Sequence, residues 1–158
     1  MSVRRFGGCP ADPGPAAEAE AMLREDLAYR RERFGNEDTQ TAHAIINLAL
    51  VIRGQGRVGE AAKLAREAVT IYRALPQRES EPLANALLIL GWTLSMDGKH
   101  AEGERFIRES IGMRSKLLGD NHKSVESARS YLNRVLQLQG RQTEKMADTR
   151  QVEKIRTK

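Results

Sequence analysis

Apolar residues return along this chain at helical spacing, in paired segments. Within residues 41–82, Ala42, Ile45, Leu48, Ala49 and Ile52 fall three or four apart, which puts them on one face of a helix. Gln55-Gly56 ends that stripe, because glycine accepts the left-handed backbone that closes a helix. A second stripe follows with Ala61, Leu64, Ala65, Ala68 and Ile71. It runs to about Leu75, and Pro76 blocks its continuation. The pair recurs as Ala84, Leu87, Leu90, Gly91 and Leu94, then Gly103, Ile107, Ser110, Ile111 and Leu117. A further first stripe carries Ala128, Tyr131, Leu132 and Val135. The predicted fold is all-α. Two stripes per unit make a helical hairpin whose apolar faces need each other and the neighbouring hairpins.

Polar residues keep the same time. Gly14, Gly56, Gly98 and Gly140 stand at one period of 42, as do Glu18, Glu60, Glu102 and Glu144, and Arg24, Arg66, Arg108 and Arg150. Such recurrence marks a repeat array. The glutamates belong to the first turn of each second helix, where negative charge suits the exposed N–H groups. The arginines lie further along and can pair with a carboxylate one turn back, as in Glu20–Arg24 and Glu104–Arg108. Both columns read as solvated, helix-stabilising charge in preference to catalytic groups.

These signals divide the chain. Residues 1–15 are a flexible N-terminal segment rich in Gly and Pro. Residues 16–141 form an α-solenoid of about 3.5 stacked antiparallel hairpins. It comprises the second helix of a half unit (16–34), units 39–76 and 80–118, and the first helix of a last unit (122–139). Residues 142–158 are a polar capping helix and basic tail. Helix 16–34 has no first helix of its own. That leaves it open to a partner, to a second copy in a homo-oligomer, or to the rest of a longer chain.

Composition changes this picture little. Charged residues make up 30% of the 158 and aromatics 4%, which suits exposed helices. The formal net charge of +5 sits mainly at the two ends, which is poor support for specific nucleic-acid binding. No apolar run is long enough for a membrane span, and no apolar segment follows Arg4-Arg5 to make a secretory signal. Cys9 is the single cysteine and cannot form an internal disulfide, so a cytoplasmic setting is expected. His43, His100 and His122 have no second ligand at metal spacing, and no glycine-rich phosphate loop is present. No catalytic residue, metal or cofactor is expected.

The steps Asn47-Leu48-Ala49, Gln55-Gly56-Arg57, Glu60-Ala61 and Leu118-Gly119-Asp120-Asn121-His122 occur in phase. With them the chain resembles tetratricopeptide repeats, in particular the 42-residue kind of kinesin light chains and many bacterial proteins. Lys123 stands where that family usually has proline. Small residues that let paired helices approach are Ala49, Ala61 and Ala68, then Gly91, Gly103 and Ser110. In the last unit they become Asn133, Lys145 and Val152, which predicts a looser closing pair.

The resemblance implies a concave groove lined by the first helices. Register places four sets there: His43, Asn85 and Ser127; Ile46, Leu88 and Ser130; Leu50, Trp92 and Arg134; and Arg53, Ser95 and Gln137, with Met96 at the edge. Some relatives grip a terminal carboxylate with Lys, Arg and Asn. Here Ile46, Leu50 and Leu88 dominate the first half, which favours a mixed apolar peptide site. The expected function is a non-catalytic interaction module binding a peptide or helix of a protein partner. The alternative is a regulatory or sensor segment of a larger bacterial signalling protein, linked to a kinase or transcription regulator.

Overall fold

The computed structural model describes residues 14–77 and 79–140. Those residues form α1 (Gly14–Phe34), α2 (Thr39–Gly54), α3 (Val58–Ala74), α4 (Glu81–Met96), α5 (His100–Leu118) and α6 (Lys123–Leu138), with no strand among them. The expected capping helix and tail at 142–158, and the segment 1–13, lie outside the described residues.

Each bend follows from local chemistry. Asp38 starts α2, its Oδ1 accepting the Gln40 N–H at 2.7 Å. Ser80 does the same for α4, accepting from the Leu83 N–H, with Pro82 in the first turn. The tight bends are built differently. Gly56 and Gly98 take φ of +83° and +80°. Gly56 N–H then donates to Arg53 O and Arg57 N–H to Ile52 O. Gly98 and Lys99 repeat those two bonds to Ser95 O and Leu94 O. This is the paired closure of a helix end by a left-handed residue, and it turns the chain straight into α3 and α5.

The helices form two layers. α2, α4 and α6 lie side by side on the inside, and α1, α3 and α5 cover them. The stripe residues meet between the layers: Ile45, Leu48, Ile52, Leu87, Leu90, Leu94, Ile107 and Leu132 are fully buried. One stripe position departs from expectation. Leu117 is exposed, whereas Phe106 and Arg114 of α5 are buried. Arg114 continues the stripe Ile107–Ser110–Ile111 by one turn, so a guanidinium occupies an apolar position.

Hairpin α4–α5 is pressed closest. A Cβ on Gly91 would sit 2.7 Å from Gly103 O, and one on Gly103 would sit 2.4 Å from Gly91 O. Below them the Ser110 hydroxyl donates to Ala84 O at 2.6 Å inside the seam. Backbone approaches backbone there, and only glycine fits.

Candidate peptide-binding groove

The inner layer presents the faces of α2, α4 and α6 that the outer helices do not cover. His43, Asn85, Ser127, Ser130, Arg134 and Gln137 are exposed on it, and Met96 is 47% exposed at its edge. Leu50, Arg53 and Trp92 are half-buried. Ile46 and Leu88 sink into the core, at 4% and 8% exposure, so the apolar first half expected of the groove is largely out of reach.

Ser95 does not belong to the open surface. It is buried, and its hydroxyl lies 2.9 Å from His100 Nδ1. By register it stands level with Arg53 and Gln137. The close approach of Gly103, whose Cβ would stand 3.1 Å from Ser95 N, draws α5 over it instead.

Trp92 is neither a free ledge nor a core residue. Its ring meets Tyr131 edge-on, with centroids 5.3 Å apart and planes at 63°. The Arg134 guanidinium carbon stands 5.4 Å from the Trp92 ring centroid, within cation–π range. One indole from α4 is therefore held by two side chains of α6 while it packs on the core cluster that contains Leu88 and Leu132, and part of it stays open. Tyr131 looks from the sequence like part of the apolar stripe. Its pairing with Trp92 has no signature beyond the presence of both aromatics on successive first helices.

Arg53 supplies the second cation. It makes no ion pair among the described residues, and burial lowers its pKa from the ordinary arginine value, with Tyr131 opposing that shift. Arg114 lies beneath the same face. It donates to Asn85 Oδ1 at 3.3 Å and reaches the Ser124 carbonyl at 3.5 Å, while its buried Nε has no partner among the described residues. Burial lowers its pKa too, with Glu81 opposing. Asn85 is thus held in place from below. Among the described residues, the groove carries two arginines without carboxylate partners, an aromatic pair, and a rim of hydroxyl and amide groups.

The remaining histidines are structural. His122 caps α6, Nδ1 accepting the Ser124 N–H at 3.2 Å, and His100 serves Ser95. Among the described residues no group of three His, Cys, Asp or Glu side chains could hold a metal ion, and no helix is long and apolar enough to cross a membrane.

Two layers of antiparallel hairpins, advancing one period at a time, define a helical-repeat solenoid with an open inner face. Residues 40–116 match the model of the tetratricopeptide repeat family, so this part of the chain is a run of tetratricopeptide repeats. Among solved structures it is similar to a putative kinesin light chain of Podosopora anserina with nearly identical TPR-like repeats. The two are 21% identical with a TM-score of 0.72, over 79% of this chain and 59% of that one. A single-residue variant of that Podosopora anserina protein matches at 20% identity and a TM-score of 0.68, over 90% and 66% of the two chains. At that identity the likeness concerns the fold. No curated protein matches the chain. Tetratricopeptide repeats generally serve as protein–protein interaction modules and are generally non-catalytic.

Proposed function

We propose that this protein is a non-catalytic interaction module of the cytoplasm that holds a partner's peptide or helix on its inner face. Trp92 is the anchor, and Arg53 and Arg134 receive acidic side chains of the bound segment. The observation that carries this reading is a half-open indole under Arg134, with Arg53 half-buried on the same inner face, both arginines being without carboxylate partners among the described residues. A guanidinium left unpaired in a partly desolvated groove gains more from a carboxylate than one already bridged on the surface. Tryptophan and arginine are also among the residue types most enriched at binding hot spots. The exposed ring of His43, Ser127, Ser130 and Gln137 forms the polar rim.

A display library of random peptides selected against the full chain tests this. Trp92 is the sole tryptophan, so binding of each selected peptide can be followed by its emission. Selected peptides should carry Asp or Glu, shift the emission, and lose at least about tenfold in affinity against Arg53→Glu with Arg134→Glu. Peptides that bind this double variant equally, without changing the emission, refute the groove. The runner-up reading is a regulatory segment of a larger signalling protein. The uncovered face of α1 favours it.

A further inference from the structure

The outer layer is stitched by a ladder that joins each outer helix to the next. Arg24 reaches Glu60 at 2.9 Å and Arg31 reaches Glu67 at 2.6 Å, both from α1 to α3. Arg66 reaches Glu102 and Arg73 reaches Glu109, both at 2.7 Å, from α3 to α5. Every rung spans the same separation of 36 residues. Each junction therefore has two rungs, with donors seven residues apart and acceptors seven residues apart.

The acceptor positions also exist on α1. One period before Glu60 and Glu67 stand Glu18 and Glu25. Both are exposed, and neither has an ion pair or hydrogen bond among the described residues. On the same side of α1 stand Met22, 70% exposed, and Tyr29, 61% exposed. Their register equivalents on α3 are Leu64, which is half-buried, and Ile71, which is 7% exposed within the core. The α5 equivalents, Phe106 and Met113, are buried and half-buried. One helix of three thus shows empty sockets at positions that the other two have filled.

We propose that this face of α1 is a docking surface for a further hairpin of the same repeat type. The outer helix of that hairpin carries two arginines seven residues apart, which pair with Glu18 and Glu25. Its inner helix lays an apolar stripe over Met22 and Tyr29. Charge complementarity selects this occupant over a second copy of the chain. Stacked end to end, a second copy would present the register positions Arg108 and Ser115, and Ser115 brings no charge for the second rung. The surface lies on the outer layer and is independent of the groove.

The test keeps the whole chain and repeats residues 14–55 ahead of Gly14. The repeated Arg24 and Arg31 then face the original Glu18 and Glu25, and the repeated α2 covers Met22 and Tyr29. The extended protein should unfold in one transition at a Tm several degrees higher. Amide exchange in the original α1 should slow at least about tenfold. Glu18→Lys with Glu25→Lys should leave the unextended chain within about 2 °C of wild type, since exposed unpaired carboxylates contribute little. The same pair of changes should remove part of the gain in the extended protein, and arginine-to-glutamate changes at the repeated positions should restore it. Unchanged exchange in α1, or an extended protein indifferent to the charge reversal, overturns the proposal. So does a concentration-dependent dimer of the natural chain that Met22→Lys dissociates, because the occupant would then be a second copy.

Discussion

Replacing Gly103 with alanine should destabilise the protein, whereas the same change at Gly112, on the same helix, should not. The added methyl at 103 would begin 2.4 Å from Gly91 O and 3.1 Å from Ser95 N. Both are backbone atoms of α4, so no side-chain rotation relieves the clash. Separating α4 from α5 would loosen the seam that buries Leu87, Leu90, Leu94 and Ile107 and stretch the bond from Ser110 to Ala84. Overpacking of this kind costs about 1–3 kcal/mol, and more where backbone must move. Alanine returns up to about 1 kcal/mol over glycine inside a helix. The net expectation at 103 is a loss of about 1–3 kcal/mol, or a Tm lower by roughly 3–10 °C for a chain of this size. At Gly112 nothing lies within 4 Å of the new Cβ, so only the propensity gain remains, up to about 1 kcal/mol. Urea denaturation of the three proteins, read by far-UV circular dichroism, measures both differences. A Gly103→Ala midpoint equal to or above wild type would show that the two backbones do not meet there, and the hairpin geometry would be wrong.

Two further outcomes follow from the charged ends of α1 and α3 and from the indole. Glu20 sits between Arg57 and Arg24, and their hydrogen bonds hold its pKa at about 2 instead of the usual 4.5. A carboxylate depressed on folding stabilises the native state fully above its unfolded pKa and loses that contribution as pH falls through the folded value. Urea midpoints should therefore fall between about pH 4.5 and pH 2, and Glu20→Gln should flatten that slope; parallel profiles across this window would refute the network's role. Tyr131→Ala should uncover the edge of Trp92, shifting its emission to longer wavelength and raising acrylamide quenching. An unchanged spectrum would mean that the ring contact does not persist in solution.

Much of the architecture was legible in the residues themselves. Helical spacing, glycine bends and a period of 42 are local or periodic quantities, and a repeat multiplies each signal by the number of units. Gly56 and Gly98 announce their bends because left-handed backbone is cheap only for glycine. The stripe also assigned each side chain an angle on its own helix, which is why most core positions could be named.

What the sequence could not supply is how far one helix stands from another and how the units are offset. The glutamate and arginine columns were visible separately, and Glu20–Arg24 and Glu104–Arg108 were readable as local pairs. That Arg24 also crosses to Glu60, and Arg66 to Glu102, depends on the offset between adjacent outer helices, which packing alone sets. Ser95 shares its register with Arg53, yet it is sealed because Gly103 lets α5 come close over it. Trp92 became half-open because Tyr131 and Arg134, both from the next unit, reached it first. A period determines which way a side chain points, and only tertiary packing decides what it meets.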